Sequence, residues 1–317
     1  MSRGYRDAFP VEKETGSGAI GRPGFLTSAV TELPEWELGV ESRDARLARF
    51  RQILEAGIHG IAFSPYVDGQ SPGTQISEQQ IRERMAIIEP YTRWVRTFSC
   101  IEGNEAAPRI AHEMGLKTMV GIGLGADMEE NEVEFANGLQ IARAGHADVL
   151  AVGNEILLRG DLSVEELAGY IQRAREEAPG VPIGYVDAYF LFENHPQIVE
   201  VCDLILINCY PFWERCPLEY SLPYMQEMVR RTQAVAHGKK IVITETGWPS
   251  AGSPYGGSIP GEDNALNYFI QTYEWAQQED VEIFYFSSFD EAWKTGDEGD
   301  VGCYWGLWDA AGNLKFV

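Results

Sequence analysis

Two glutamates directly follow short apolar runs in this sequence. Glu155 ends the segment Ala-Val-Gly-Asn-Glu at 151–155, and Glu245 follows Ile-Val-Ile-Thr at 241–244. Runs of β-branched and small apolar residues are typical of strands buried on both faces, so each carboxylate is expected at or just past a strand's carboxyl end. In parallel α/β folds that end carries the active site. Two carboxylates there suit glycoside hydrolysis, because one can protonate the leaving oxygen while the other attacks or stabilises the anomeric carbon.

Eight strand-like apolar runs alternate with amphipathic stretches after residue 44. The runs are His59 to Ser64, Trp94 to Phe98, Thr118 to Ile122, Val149 to Gly153, Ile183 to Val186, Leu204 to Asn208, Ile241 to Thr244 and Ile283 to Ser287. Eight such units predict an α/β fold, a single (β/α)8 TIM barrel over 41–317, rather than an open doubly wound sheet. No Gly-x-Gly-x-x-Gly follows the first run, which argues further against dinucleotide binding.

Helix signals lie between the predicted strands. Ser77 with Gln80 and Ser163 with Glu166 form capping-box patterns, each followed by apolar residues at helical spacing. The stretch after the eighth run is too short and turn-rich for a full helix, so the helix predicted over Arg46 to Leu54 is expected to fill the gap in the outer ring.

Composition narrows the function classes. The 317 residues are 44% hydrophobic and carry a formal charge of -23 without a long block of like charge, which makes nucleic acid an unfavourable partner. The histidines show no metal spacing, so neither a metal nor a cofactor is expected. Residues 1–40, rich in Gly, Pro, Glu and Ser, are expected to form an N-terminal arm or disordered leader. No signal peptide or membrane helix is visible, no membrane partner is expected, and the compartment stays open.

The five cysteines are too few and too irregularly spaced for a disulfide framework. Buried thiols are the favoured interpretation. A Cys209–Cys216 pair stays open as the alternative, because spacing alone does not fix the geometry of a bond.

Five segments resemble one known family. They are 60–66 with 68–72, 152–155, 207–211, 244–250 and 289–294. In these segments the chain resembles glycoside hydrolase family 17, the β-1,3-glucan-active barrels, from the first predicted strand to the last. The resemblance implies that Glu155 is the acid/base, with Asn154 beside it, and that Glu245 is the nucleophile of a retaining double displacement. In a retaining enzyme the two carboxylates lie about 5 Å apart.

Further residues are expected to bind the glucan. Asn154 suits a hydrogen bond to the sugar 2-hydroxyl, Glu291 and Lys294 suit ordering of the glycon site or the catalytic carboxylates, and aromatic rings at strand ends suit stacking on sugar faces. The aromatic candidates are Tyr66, Tyr210, Phe212, Trp213 and Trp248, with Trp293 also beside a strand end. The alternatives are ordinary core packing for the rings, a surface ion pair for Glu291 and Lys294, and either a buried ion pair or a carboxylate positioner for Arg96.

The segment 209–240 departs from plant members of the family. It has room for one loop and one helix, and lacks the extra subdomain of the plant cleft. A shorter cleft favours oligosaccharide processing or glucanosyl transfer, with Phe212 and Trp213 expected to hold the acceptor. Hydrolysis of β-glucan by a monomer is the leading hypothesis, and transfer is its alternative. A sugar-binding barrel without turnover would not need both glutamates, and a phosphate-binding barrel would need a glycine-rich loop after strands seven and eight.

Overall fold

The computed structural model describes residues 41–296 and 298–317. The expected N-terminal arm or leader falls on residues 1–40, outside the described residues. In the part that is described, no helix is both long and apolar enough to cross a membrane.

Eight parallel strands form a closed barrel in chain order, with the last strand paired to the first. They are β1 (Ile58–Ala62), β2 (Thr92–Arg96), β3 (Lys117–Ile122), β4 (Val149–Asn154), β5 (Ile183–Ala188), β6 (Leu204–Asn208), β7 (Ile241–Thr246) and β8 (Ile283–Tyr285). Each of the eight apolar runs in the sequence overlaps one of these strands, with bounds that differ by up to two residues. The predicted (β/α)8 barrel is confirmed.

The helices lie around the barrel. They are α1 (Arg43–Glu55), α2 (Glu78–Ile88), α3 (Ala107–Glu113), α4 (Met128–Arg143), α5 (Ile156–Arg159), α6 (Val164–Glu177), α7 (Tyr189–Asn194), α8 (Pro196–Val201), α9 (Leu218–Val235) and α10 (Glu262–Gln278). After β8 the described residues contain 3₁₀ turns at Ala292–Thr295 and Gly299–Tyr304 but no α-helix, as expected.

Helix α1 packs beside α10 in the outer ring. Phe50 of α1 meets Phe269 of α10 edge-on at 4.9 Å and Phe316, near the end of the chain, at 5.3 Å between ring centroids. The helix before β1 thus takes up apolar surface where an eighth helix is missing, which agrees with the expectation for this stretch.

The predicted caps form to different degrees. Ser163 and Glu166 make the full reciprocal capping box of α6. Ser77 accepts the Gln80 N–H at the start of α2, but the Gln80 side chain donates to the Pro65 carbonyl at 2.8 Å. The predicted hydrogen bond from the Gln80 side chain back to the Ser77 backbone is therefore wrong, because this amide connects α2 to the loop after β1.

Apolar side chains fill the barrel interior. They are Met119, Val149, Ala151, Val186, Leu204, Leu206, Val242 and Phe284. A filled interior leaves no channel through the barrel, so the cleft lies at the end of the barrel. All five cysteines are free and four of them are buried, as favoured from the sequence.

Candidate active site

A cleft of about 620 Å³ opens at the carboxyl end of the barrel and is lined by both Glu155 and Glu245. Its other walls come from the loops after β1, β2, β3 and β8 and from α4. Among the described residues, the loops after β5 and β6 contribute nothing to its lining.

Backbone irregularity at the end of β4 presents Glu155 to this cleft. The pairing of β4 with β5 shifts register between Ala151 and Asn154. Gly153 has φ of 84° and Glu155 has φ of 55°, both in the left-handed region. Glycine takes this conformation without steric cost, whereas a glutamate held there is strained. The Glu155 N–H donates to the Val186 carbonyl at 2.8 Å, which holds the strained residue against β5.

The carboxyl group of Glu155 is buried and holds its proton tightly. Only 8% of the residue is exposed. Burial is the largest of the causes that raise the pKa of Glu155 to about 8, and the negative charges of Glu245 and Asp187 are the others. The loss of hydration on burial thus has a larger effect on this pKa than the neighbouring charge of Glu245. A carboxyl group protonated at neutral pH is suited to act as a general acid.

Glu245 is held by donors from two other strands. Arg96 at the end of β2 donates from Nη1 to Oε1 at 2.6 Å, and the Tyr210 hydroxyl beyond β6 donates to Oε2 at 2.7 Å. Burial and the Glu245 charge raise the pKa of Tyr210 well above its usual value, so the phenol keeps its proton and stays a donor. Arg96 is thus both a buried ion-pair partner and a positioner of the carboxylate, the two roles that the sequence left open.

Asn154 and Asn208 connect the two glutamates. Asn154 Oδ1 accepts from Arg96 Nη2 at 2.9 Å, and Asn208 Nδ2 donates to Glu155 Oε1 at 2.9 Å. Asn208 Oδ1 in turn accepts from the Thr244 hydroxyl at 2.9 Å, next to Glu245. Because Asn154 Oδ1 is engaged, its amide can offer N–H groups to a sugar hydroxyl. One hydrogen-bonded network from four strands fixes both carboxyl groups.

Glu291 and Lys294 form a buried ion pair in the cleft wall rather than a surface pair. Their charged groups lie 2.6 Å apart, with 3% of the Glu291 side chain and 10% of the Lys294 side chain exposed. Burial lowers the pKa of Lys294, but the carboxylates of Glu291, Glu298 and Glu245 together outweigh it, so the net shift is upward and the ammonium group is kept. Glu291 also accepts from the Ser64 hydroxyl and from Trp293 Nε1. The pair therefore holds the loop after β8 against the loop after β1.

Tyr66 and Trp293 form an aromatic corner of the cleft. Their rings meet edge-on with 6.2 Å between centroids. Trp293 is 38% exposed, and both residues line the cleft. These are the accessible rings among the aromatic candidates, which suits stacking on a sugar face.

The other four aromatic candidates are buried beneath the loops. Phe212 lies within 5.7 Å of the ring centroids of Trp213, Trp248 and Trp305, and its own exposure is 0%. Trp248 is 1% exposed and donates its Nε1–H to the Ile259 carbonyl. A ring without an accessible face cannot stack on a sugar, so the expected stacking by Phe212, Trp213 and Trp248 is corrected to core packing. Tyr210 is buried too, but its hydroxyl reaches Glu245.

Several contributors to the site were not assigned from the sequence. Asn208 lies inside a segment that carried the family resemblance, so its strand-end position could have indicated a role. Glu134 on α4 gave no such signal. This buried carboxylate accepts from the Ser99 hydroxyl and from the N–H groups of Cys100 and Gly123, and so joins the loops after β2 and β3.

Removing the Trp293 ring is expected to weaken substrate binding. Because an aromatic stacking contact is worth about 0.5–1.5 kcal/mol, Trp293→Ala should lower kcat/KM on laminari-oligosaccharides roughly three- to tenfold. Trp293→Phe keeps a ring but loses the N–H donor, and should retain most activity if stacking dominates. Tyr304→Ala, which removes an exposed ring outside the cleft lining, is the matched control. Equal losses in the Phe and Ala variants would assign the effect to the Glu291 hydrogen bond instead.

Comparison with known proteins places the chain among glucan-active barrels. The sequence model of the BtgE/BtgC glycoside hydrolase domain matches residues 60–306. A glucan 1,3-beta-glucosidase of Arthroderma benhamiae is 28% identical over 70% of this chain and 78% of its own length. The glucan 1,3-beta-glucosidase BGL2 of Candida albicans is 24% identical over 72% of this chain and 82% of its own length.

A solved structure is similar over the whole barrel. It is an active-site mutant of the Rhizomucor miehei beta-1,3-glucanosyltransferase in complex with laminaritriose. The two share 26% identity with a TM-score of 0.73, and the match covers 82% of this chain and 96% of that one.

Proposed function

Because the chain belongs to the BtgE/BtgC glycoside hydrolase domain family, we propose that it acts on β-1,3-glucan or its oligosaccharides by a retaining double displacement. The resemblance to glycoside hydrolase family 17 is borne out by the family match and by the similar glucanosyltransferase structure. The observation that carries the proposal is the network of Arg96, Asn154 and Asn208, which holds Glu155 and Glu245 in one cleft.

The first step forms a glucosyl ester. A carboxylate oxygen of Glu245 attacks C1 of the sugar while Glu155 donates its proton to the glycosidic oxygen. The C1–O bond breaks, and the leaving sugar departs as an alcohol. The pKa of Glu155, raised to about 8, keeps this proton available at neutral pH.

The second step reverses the proton's direction. Once Glu245 is esterified its negative charge is gone, and with it one of the causes that raise the pKa of Glu155. Glu155, now a carboxylate, takes a proton from water or from a sugar hydroxyl, whose oxygen attacks C1 and releases Glu245. Water gives hydrolysis, and a sugar hydroxyl gives transfer.

The charge of the cleft suits a glycan of uncharged sugars. Among the described residues that line it, glutamates accompany one cation, Lys294, which forms an ion pair with Glu291. The glutamates are Glu102, Glu130, Glu134, Glu155, Glu245, Glu291 and Glu298. Carboxylated or phosphorylated sugars would face like charges there, whereas the hydroxyl groups of a neutral glucan can donate to them. That the active form is a monomer stays a prediction.

Transfer is the second candidate, because water and a sugar hydroxyl can both attack the same glucosyl ester. The similar structure from Rhizomucor miehei is a glucanosyltransferase, which adds support. Acceptor stacking on Trp213 is not part of this proposal, because that ring is buried.

Product analysis tests the proposal. The enzyme is incubated with laminaritetraose at low and at high concentration, and products are measured by mass spectrometry. Hydrolysis yields only shorter oligosaccharides, and transfer yields longer ones whose share grows with substrate concentration. No change in laminaritetraose or longer glucans, with turnover of another β-linked glycan, would contradict the assignment to β-1,3-glucan.

Activity on glucan is expected to fall as the pH rises through about 8. Glu155 donates only in its protonated form, which prevails below its pKa of about 8. The pH dependence of kcat/KM on laminari-oligosaccharides measures this limb, because that ratio reports ionisations of the free enzyme. A limb that stayed flat to pH 10 would show that proton donation by Glu155 does not limit the first step.

A further inference from the structure

A second buried carboxyl group lies behind the acid/base. Asp187 is the penultimate residue of β5 and is 0% exposed. Its neighbour Val186 points into the barrel interior, so Asp187 and Tyr185 point the other way, toward the layer of helices. Neither group lines the cleft, and the two-step reaction does not use either of them.

Asp187 and Tyr185 together hold the backbone that follows Glu155. Asp187 Oδ2 accepts from the Tyr185 hydroxyl and from the Leu158 N–H at 3.3 Å. The Tyr185 hydroxyl accepts from the Leu157 N–H at 2.9 Å. Because Glu155 has a strained left-handed backbone, the first N–H groups after it need fixed partners if the carboxyl group is to keep its direction.

We propose that Asp187 is a positioning residue for Glu155: it anchors the backbone after the acid/base and places a carboxylate behind it that opposes loss of its proton. This proposal rests on the proposed function for the role of Glu155 as acid/base. The hydrogen bonds of Asp187 and Tyr185 do not depend on that function. Asp187 does not touch substrate in this account and acts only through Glu155.

The charges around Glu155 come from several elements. Glu245 on β7 and Asp187 on β5 raise its pKa, and Arg159 on α5 and the Asn208 amide on β6 lower it. Burial raises the pKa of Asp187 to about 7, opposed by its donors, Tyr185 first, and by Arg159. The donors to Asp187 favour its ionised form, and an ionised Asp187 opposes loss of the proton from Glu155.

Titration of Glu155 tests the positioning role of Asp187 directly, and it does not require that the protein turn over glucan. The Glu155 carboxyl carbon is followed by ¹³C NMR against pH in the full chain, its signal assigned by its loss in Glu155→Gln. Asp187→Asn keeps the shape and removes the charge, and should lower the Glu155 midpoint by roughly one pH unit. The alkaline limb of kcat/KM on laminaritriose should move by the same amount.

Two further variants separate this role from plain stability. Tyr185→Phe removes the main donor to Asp187, so Asp187 holds its proton to higher pH and the Glu155 midpoint should fall by a smaller amount. Asp203→Asn is the matched control, because Asp203 anchors the Ile183 N–H at the opposite end of β5 and should leave the midpoint unchanged.

The outcomes are distinguishable. An unmoved Glu155 midpoint in both Asp187→Asn and Tyr185→Phe overturns the positioning role, whatever the melting temperatures. A shift equal to that in Asp203→Asn overturns it as well, since the effect would then be general loosening of β5. A moved midpoint in a protein that does not turn over glucan would uphold the positioning role and refute the proposed function.

Discussion

Replacing Glu245 with glutamine should lower turnover of β-1,3-glucan by about four orders of magnitude or more, because no other group can form the glucosyl ester. The amide keeps the shape of the side chain, and Arg96 loses the carboxylate with which it forms an ion pair. Initial rates on laminari-oligosaccharides and on activated aryl glucosides should both fall, since each substrate needs the same nucleophile.

The fold should survive this change. Circular dichroism and the melting temperature check it, and Glu279→Gln, on an exposed glutamate just after α10, is the matched control that should keep full activity. Turnover within tenfold of the wild type in a folded Glu245→Gln protein would refute the nucleophile assignment.

The second large effect concerns Glu155 and depends on the leaving group. Glu155→Ala should lower kcat/KM on laminari-oligosaccharides by about 10²- to 10⁴-fold, the usual contribution of a general acid. The leaving group of an aryl glucoside made from an acidic phenol departs as a phenolate and needs no protonation. The rate of ester formation from such a substrate should therefore change much less. Rates on the two substrate classes, measured side by side, give the contrast.

Azide provides the complementary check on Glu155. The ester formed from the aryl substrate accumulates in Glu155→Ala because water lacks its general base. Azide is a nucleophile that carries no proton to remove, so it should restore turnover and yield a β-glucosyl azide. Equal losses on both substrate classes, with no azide rescue, would contradict the acid/base role.

The sequence predicted those features that depend on local pattern. Alternating apolar runs and helical stretches are sufficient for the barrel, and the strand-end glutamates had to meet at one edge once the strands were parallel. Glu155 and Glu245 therefore line the cleft as expected. The direction of a side chain in a loop is a different matter. Trp248 and Phe212 follow strand ends just as Trp293 does, yet Phe212 packs against both Trp248 and Trp305, while Trp293 faces the cleft.

Other features depend on contacts between distant strands. Asn208 donates a hydrogen bond to Glu155, and Asp187 accepts one from the Leu158 N–H in α5, and nothing local to Asn208 or Asp187 specifies those bonds. The main cause of the raised Glu155 pKa was similarly hidden, since burial of a carboxyl group is a property of the assembled barrel.

The central claim is a covalent glucosyl ester on Glu245, and trapping that ester tests it most directly. In a 2-deoxy-2-fluoro glucoside the fluorine slows both formation and breakdown of the ester. An activated leaving group speeds formation alone, so the ester accumulates. Peptide mass spectrometry after incubation should find one fluoroglucosyl group on the peptide that contains Glu245, and none in Glu245→Gln. A label on a different residue, or no label while glucan turnover first releases the α-anomer, would contradict the retaining mechanism.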